Sequence, residues 1–150
     1  MFNVGIVGLG TIGKVVAKAL GDGMNGLQLN SVASGRREKA EAFLATLNTP
    51  TEIMSIDDVA ESCEIVVDCA PKAVFAEIAN ATISRGKILV TVSGAGILAN
   101  PDIEKQAAKN KARVILATGA LLGLDAVRAA AEGTINSVKM VTRKPPNALQ

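Results

Sequence analysis

The sequence predicts an α/β fold built on a doubly wound, mostly parallel sheet. Short apolar runs alternate along the chain with segments whose apolar residues recur every three or four positions. This alternation is typical of a buried parallel sheet that is covered by helices on both faces. The chain has 150 residues, of which 49% are hydrophobic. That is enough apolar material for one globular unit that buries about two-thirds of its unfolded surface.

Each predicted strand is followed by a predicted helix. The strands are predicted at residues 3–7, 27–33, 51–54, 64–68, 88–92 and 114–117. The stripe of the first helix that packs on the sheet is predicted to consist of Ile12, Val15, Val16, Ala19 and Leu20. Pro71 is predicted to open the fourth helix and Gly86 to end it. Residues 101–110 and 124–132 are predicted to form the last two helices.

Three glycines with the spacing Gly-x-Gly-x-x-Gly, at Gly8, Gly10 and Gly13, lie between the first strand and the first helix. At this place the first glycine permits a tight turn, the second lets the backbone approach a pyrophosphate, and the third lets helix and strand pack closely. The N–H groups around Thr11 and Ile12 then face the phosphate charge. The motif predicts a dinucleotide-binding Rossmann fold. The alternative is a compact turn that binds nothing.

The end of the second strand predicts which dinucleotide binds. An acidic residue there would accept hydrogen bonds from the adenosine ribose, but Ser34 stands at that place and Arg36 and Arg37 follow closely. A hydroxyl and guanidinium groups can bind a 2′-phosphate, which a carboxylate would repel. NADP is therefore favoured over NAD. The alternative is that the arginines are the solvated first turn of a helix, although cations at a helix N-terminus are unfavourable without a compensating anion.

Further candidate cofactor contacts follow the fourth and fifth strands, because a dinucleotide lies across the carboxyl ends of the strands. Cys69, Ala70 and Pro71 are predicted to contact the cofactor through their backbone. Ser93 and Gly94 open a run of small residues whose N–H groups would face the nicotinamide end, with a flexible loop as the alternative. No metal site is predicted.

Residues 137–142 alternate apolar and polar side chains, which is typical of a half-exposed strand. The change indicates a dinucleotide-binding domain at residues 1–133 and the start of a truncated second α+β domain, for substrate binding and dimerisation, at residues 134–150. A strand with no later partner is a template for association, so a homodimer is expected.

Composition argues against several classes of protein. The net charge of +2 is small and interspersed, which argues against a nucleic-acid partner. No apolar run approaches the ~18 residues of a membrane span and no basic leader precedes the first strand, so a cytoplasmic protein is expected. The chain has no histidine, the side chain most often used for proton transfer near neutral pH.

Two later segments resemble a known family. Residues 118–125, Thr-Gly-Ala-Leu-Leu-Gly-Leu-Asp, resemble the Ser-Gly-Ala-Ile-Gly-Gly-Leu-Asp-Ala motif of L-aspartate dehydrogenases. Residues 142–146, Thr-Arg-Lys-Pro-Pro, resemble the segment that follows it in that family. This pair is far more specific than the glycine motif. The chain departs from the family at Leu122, where glycine is usual, and at Ser34, where aspartate is usual.

The resemblance implies a two-domain enzyme that interconverts L-aspartate and iminoaspartate by hydride transfer with NAD(P). The imine would yield oxaloacetate and ammonia or feed NAD biosynthesis. The resemblance also implies that Ala120 contacts the nicotinamide and that the family's catalytic histidine lies beyond residue 150, so the chain alone is expected to be inactive. The alternatives are a homoserine-dehydrogenase-like or sugar-oxidoreductase-like enzyme, and a stand-alone NADP(H)-sensing module without catalysis.

Overall fold

The structure is a computed structural model that describes residues 1–117, 123–141, 143 and 145. The chain divides into two units, Met1–Ala117 and Thr118–Gln150. The first unit contains the sheet and all of the site described below. The domain boundary predicted after residue 133 stays a prediction.

The first unit is built on one parallel sheet, in the order β3-β2-β1-β4-β5-β6. Its strands are β1 (Phe2–Val7), β2 (Leu27–Ala33), β3 (Glu52–Ile53), β4 (Ile65–Asp68), β5 (Ile88–Thr91) and β6 (Arg113–Leu116). This is the strand order of doubly wound dinucleotide-binding folds, in which the chain reverses direction across the sheet between β1 and β4. The predicted fold class and the six predicted strands are confirmed, each to within two residues at either end.

Helices connect the strands. They are α1 (Thr11–Gly21), α2 (Arg37–Leu44), α3 (Ile56–Ser62), α4 (Phe75–Ser84), α5 (Gly94–Leu98), α6 (Ile103–Lys109) and, in the second unit, α7 (Leu124–Ala130). A 3-10 turn at Lys72–Val74 precedes α4, and Gly86 follows it with a φ of 69°. In the described part of the chain, no helix has both the length and the hydropathy that a membrane span needs.

The sheet has a separate hydrophobic core on each face. On one face, Ile6 of β1 and Val32 of β2 pack beneath α1 and α2, with Ala17 and Ala40 among the buried helix residues. On the other face, α3, α4 and α6 cover the sheet, and Phe75 is a large buried side chain there. Successive side chains of a strand point to opposite faces, so β1 contributes Ile6 to one core and Val7 to the other.

The buried stripe of α1 differs from the prediction. Gly13, Ala17 and Leu20 are buried, whereas Ile12 and Val15, which were predicted to pack on the sheet, are 51% and 67% exposed. The close approach of Gly13 to the backbone of the β1–α1 turn sets the rotation of the helix. Positions three, four and seven residues after Gly13 therefore face inward, which rotates the stripe by one residue.

A short helix, α5, forms in the run of small residues that begins at Ser93. The sequence had left a flexible loop as the alternative there. The Ser93 hydroxyl oxygen caps it by accepting a hydrogen bond from the Gly96 N–H at 3.2 Å. Gly96 lies against the Phe75 ring so closely that a Cβ on residue 96 would be 2.7 Å from two ring carbons. The helix is therefore held by its cap and by tertiary packing, which outweigh the low helix propensity of a Gly-Ala-Gly sequence.

The strand predicted at residues 137–142 is not formed in the part of it that the structure describes. Residues 134–141 are neither helix nor strand, and Thr142 lies outside the described residues. The alternating pattern does not produce a strand by itself, because a strand needs a neighbour for its backbone hydrogen bonds.

Candidate dinucleotide-binding site

The carboxyl ends of the parallel strands meet at one edge of the sheet. Val7 at the end of β1 pairs with Ala33 of β2 and with Asp68 of β4, and Asp68 pairs in turn with Thr91 of β5. The loops that leave these strands are consequently neighbours. The space between the loops after β1 and β4 is the crevice in which open α/β sheets bind their ligands.

The turn between β1 and α1 is held by close backbone packing. Gly8 has a φ of 95°, and its N–H donates to the Ala33 carbonyl at 2.8 Å. A Cβ on residue 8 would lie 2.7 Å from the carbonyl carbon and oxygen of Cys69, and a Cβ on Gly13 would collide with the Gly8 carbonyl oxygen. The first and third glycines therefore have the geometry that the motif predicts: a left-handed turn and a close helix contact.

The space beside Gly10, where a side chain would extend, is open. It is the N-cap residue of α1, and no atom of the described residues lies within 4 Å of where its Cβ would be. No side chain caps this end of the helix, so the N–H groups of its first turn remain available. Free N–H groups beside a vacant approach path fit a phosphate-sized anion. The residues present thus fit the pyrophosphate of a dinucleotide.

A cleft of about 800 Å³ runs along this edge of the sheet. The predicted cofactor contacts that line it are Gly8, Gly10, Ser34, Arg36, Cys69, Ala70 and Pro71. These residues come from the loops after β1, β2 and β4, so the fold brings together three segments that are far apart in sequence.

The sequence did not indicate one wall of this cleft. Met54 and Ile56, which flank Ser55, lie where the chain leaves β3, and Val74 and Glu77 come from the start of the α4 region. The signal that could have found the first group is the short strand itself, because the carboxyl end of β3 lies at the same edge as the other strand ends. The second group had no local signal, since apolar residues at helical spacing usually mark core packing.

The other predicted contacts lie elsewhere. Thr11 lines a smaller adjoining cavity, Ile12 lies on the exposed side of α1, and Ser93 and Gly94 form the start of α5. The Arg37 side chain is 70% exposed and pairs with Glu41 at 2.9 Å. Ala120 lies outside the described residues. Their predicted cofactor contacts stay predictions.

Cys69 is a neutral thiol at the wall of the cleft. Burial, and secondarily the nearby Asp68 carboxylate, raises its pKa from 9.0 to about 11. Cys63 and Cys69 are both free thiols. A protonated thiol is a poor nucleophile, so the side chain of Cys69 is suited to contact and not to covalent chemistry. Within the described residues, no group of three or more His, Cys, Asp or Glu side chains could hold a metal ion.

A glycine turn that leaves room for a pyrophosphate, at the switch point of this sheet, is the mark of a dinucleotide-binding domain. The family model described as "Homoserine dehydrogenase, NAD binding domain" matches residues 8–117, from the first glycine of the motif to the last residue of the first unit. The chain belongs to that family of NAD-binding domains. A nicotinamide dinucleotide is accordingly the class of cofactor.

Curated relatives indicate which type of dehydrogenase the chain resembles. The chain is 48% identical to L-aspartate dehydrogenase from Bradyrhizobium diazoefficiens, over 99% of this chain and 52% of that protein. It is 39% identical to L-aspartate dehydrogenase 3 from Bordetella bronchiseptica, over 96% and 53%, and 33% identical to L-aspartate dehydrogenase from Methanocella arvoryzae, over 100% and 57%. The resemblance to L-aspartate dehydrogenases is confirmed, and the chain spans about half the length of these relatives.

Solved structures confirm the fold. Biliverdin reductase from Synechocystis sp. PCC 6803, in complex with biliverdin and NADP+, superposes with a TM-score of 0.72 at 20% identity, over 87% of this chain and 43% of that one. Scyllo-inositol dehydrogenase from Lactobacillus casei, with NAD(H) and scyllo-inositol, gives 0.70 at 16% identity, over 88% and 41%. At these identities the likeness concerns the fold alone.

Proposed function

We propose that this chain provides the cofactor-binding domain of an L-aspartate dehydrogenase that prefers NADP to NAD. The observation that carries the proposal is its 48% identity to an L-aspartate dehydrogenase over nearly its whole length, together with a cleft that fits a dinucleotide. A bound nicotinamide dinucleotide would supply the acceptor for a hydride from the substrate. The chain's own residues would bind this cofactor and orient it.

The cleft has a distinct part for each section of the dinucleotide. The backbone of Gly8 and Gly10 and the first turn of α1 would hold the pyrophosphate. The apolar side chains of Met54, Ile56 and Val74 would lie against the adenine, because a flat and weakly polar ring gains from burial against such a wall. Cys69, Ala70 and Pro71 would contact the middle of the cofactor.

The preference for NADP rests on the end of β2. Ser34 is the residue after that strand, and its hydroxyl oxygen accepts a hydrogen bond from the Arg36 N–H at 3.3 Å. The hydroxyl hydrogen stays free to donate to an anion. An acidic residue in this place would instead repel a 2′-phosphate, which is the physical basis for preferring NADP.

Cofactor binding is tested by calorimetric titration of the 150-residue chain with NADPH and NADH. Gly10→Val fills the open space in front of the helix, so we expect it to weaken NADPH binding about tenfold or more without lowering the melting temperature. Gly21→Ala, at the other end of α1, is the matched control, since its Cβ would meet nothing closer than 3.8 Å. A wild-type chain that binds neither cofactor would contradict the proposed role, and equal affinities would contradict the NADP preference.

The substrate class is tested on the protein encoded by the whole reading frame that contains this chain. We expect NADP+ reduction that depends on L-aspartate. L-homoserine is the matched substrate for the rival interpretation. Reduction with L-homoserine and not with L-aspartate would reject the proposed activity.

A further inference from the structure

A smaller cavity adjoins the cleft at the carboxyl end of β2. Its volume is about 340 Å³, and it shares Gly10, Ser34 and Arg36 with the cleft. Two lysines, Lys14 and Lys39, complete the charged part of its lining. The cavity therefore includes Ser34, which stands where an acidic residue is usual in the family. Three cationic side chains, those of Lys14, Arg36 and Lys39, also line it.

These three cations are not neutralised by the protein in the part that the structure describes. No carboxylate oxygen there lies within 4.0 Å of the charged nitrogens of Lys14, Arg36 or Lys39. Cations at similar places on the same two helices do have partners: Lys18 pairs with Asp22 at 2.8 Å, and Arg37 pairs with Glu41. Like charges that converge without an anion repel each other, so the arrangement favours an anionic ligand.

The start of α2 adds to this positive field. Arg36 is its N-cap residue, no side chain caps it, and Lys39 lies one turn further along the same helix. Arg36 and Lys39 are three positions apart and so share a face, whereas Arg37 is rotated away and lies beside Glu41. The N-terminal partial charge of an eight-residue helix and two cations thus act on the same space.

Lys14 reaches this space from α1. Its ammonium lies 5.2 Å from the centre of the Phe43 ring, on α2. A cation over an aromatic face is attracted to it, which holds the Lys14 side chain across the gap between the two helices. The cavity is therefore a site built from both helices and not a property of one helix end.

We propose that Lys14 and Lys39 act with Ser34 and Arg36 to bind the 2′-phosphate of NADP, and that Arg37 does not contact it. This inference rests on the proposed function, because it names the residues behind the cofactor preference. It also changes the assignment that the sequence predicts, in which Arg37 was a phosphate ligand and the two lysines had no role. A dianionic phosphate takes several charge-assisted hydrogen bonds, and three cationic side chains, Lys14, Arg36 and Lys39, line this cavity.

The test compares two probes that differ only in the 2′-phosphate, adenosine 2′,5′-bisphosphate and adenosine 5′-monophosphate, titrated into the 150-residue chain. We expect Lys39→Gln and Lys14→Gln each to weaken binding of the bisphosphate about tenfold. The monophosphate affinity should stay within about twofold, because that probe lacks the 2′-phosphate to which both lysines are assigned. Arg37→Gln and Lys18→Gln are matched controls and should change both affinities by less than about twofold. Circular dichroism melting checks that each variant folds.

The outcomes separate the two proposals. If the wild-type chain prefers the bisphosphate but the two lysine variants bind like wild type, or if Arg37→Gln loses as much affinity, the assignment to Lys14 and Lys39 is overturned while the NADP preference stands. If the wild-type chain binds both probes equally, or binds neither, the NADP preference fails and this assignment fails with it.

Discussion

The carboxylate of Asp68 accepts a hydrogen bond from the hydroxyl of Thr91 at 2.7 Å, joining the carboxyl ends of β4 and β5. Both residues are buried. Asp68 also accepts from the Ala70 N–H at 3.0 Å, and the Thr91 oxygen accepts from the Ser93 N–H at 2.9 Å. The pair therefore anchors the two loops that follow these strands, and the loop after β4 lines the cleft with Cys69, Ala70 and Pro71.

Replacing Asp68 should reveal this anchoring role. We expect Asp68→Ala to lower the free energy of unfolding by about 2 kcal/mol, because it removes a charged acceptor and leaves the hydrogen of the buried Thr91 hydroxyl without an acceptor. NADPH affinity should fall as well, since the Ala70 N–H loses its hydrogen bond to the side chain of residue 68. Urea denaturation and calorimetry measure the two effects. A double-mutant cycle with Thr91→Val should show coupling of at least about 0.5 kcal/mol, and additive losses would argue against a linked pair.

The close approach of α1 to the β1–α1 turn should make position 13 intolerant of any side chain. Gly13→Ala places a Cβ against the Gly8 carbonyl oxygen. We expect a loss of about 1–3 kcal/mol in unfolding free energy, because helix and strand must separate. Gly21→Ala on the same helix should be neutral or slightly stabilising, since alanine is the better helix former. Equal melting temperatures for the two variants would show that the contact at Gly13 relaxes freely.

The rotation of α1 should show in two charge substitutions. Val15 is 67% exposed and Ala17 is fully buried, although the sequence pattern placed Val15 on the inner face. We expect Val15→Lys to change the unfolding free energy by no more than about 0.5 kcal/mol. Ala17→Lys should cost about 4 kcal/mol or prevent folding, because it buries an unpaired charge. A larger loss of unfolding free energy for Val15→Lys than for Ala17→Lys would instead support the buried face of α1 that the sequence predicts.

Cys69 should be slow to react with alkylating agents. A pKa raised from 9.0 to about 11 reduces the thiolate fraction at pH 8 about 100-fold, and the thiolate is the reactive form. The rate with iodoacetamide should therefore keep rising with pH until about 11. Peptide mass spectrometry distinguishes Cys69 from Cys63, which is fully buried. A rate that levels off near pH 9 would mean that neither burial nor Asp68 controls this thiol.

The 150-residue chain alone should not oxidise L-aspartate. It has no histidine, and the resemblance to L-aspartate dehydrogenases implies a histidine as their proton-transfer group. We expect no NADPH formation when the purified chain is mixed with L-aspartate and NADP+, under conditions in which it binds the cofactor. Turnover by a chain of verified mass would require an active site within these residues.

Much of the fold could be predicted from local patterns. The strand at residues 27–33 coincides with β2, and the glycine motif falls at the β1–α1 turn. Apolar periodicity reports which side chains avoid water, and the turn needs a residue that tolerates the φ of Gly8. Each of these signals involves residues that are close together in the sequence. The sequence alone therefore determined the six strands of the sheet, the sheet type and the position of the glycine turn.

The tertiary structure decided how these elements face one another. It rotated α1 through the contact at Gly13 and brought Met54 and Pro71 into the lining of one cleft. It also put Lys39, rather than Arg37, in the lining of the cavity that contains Ser34. No local pattern carries this information, because it depends on strand register and on how closely two helices pack on the sheet. Residues tens of positions apart become neighbours only when the whole sheet has formed, and cofactor specificity depends on those neighbours.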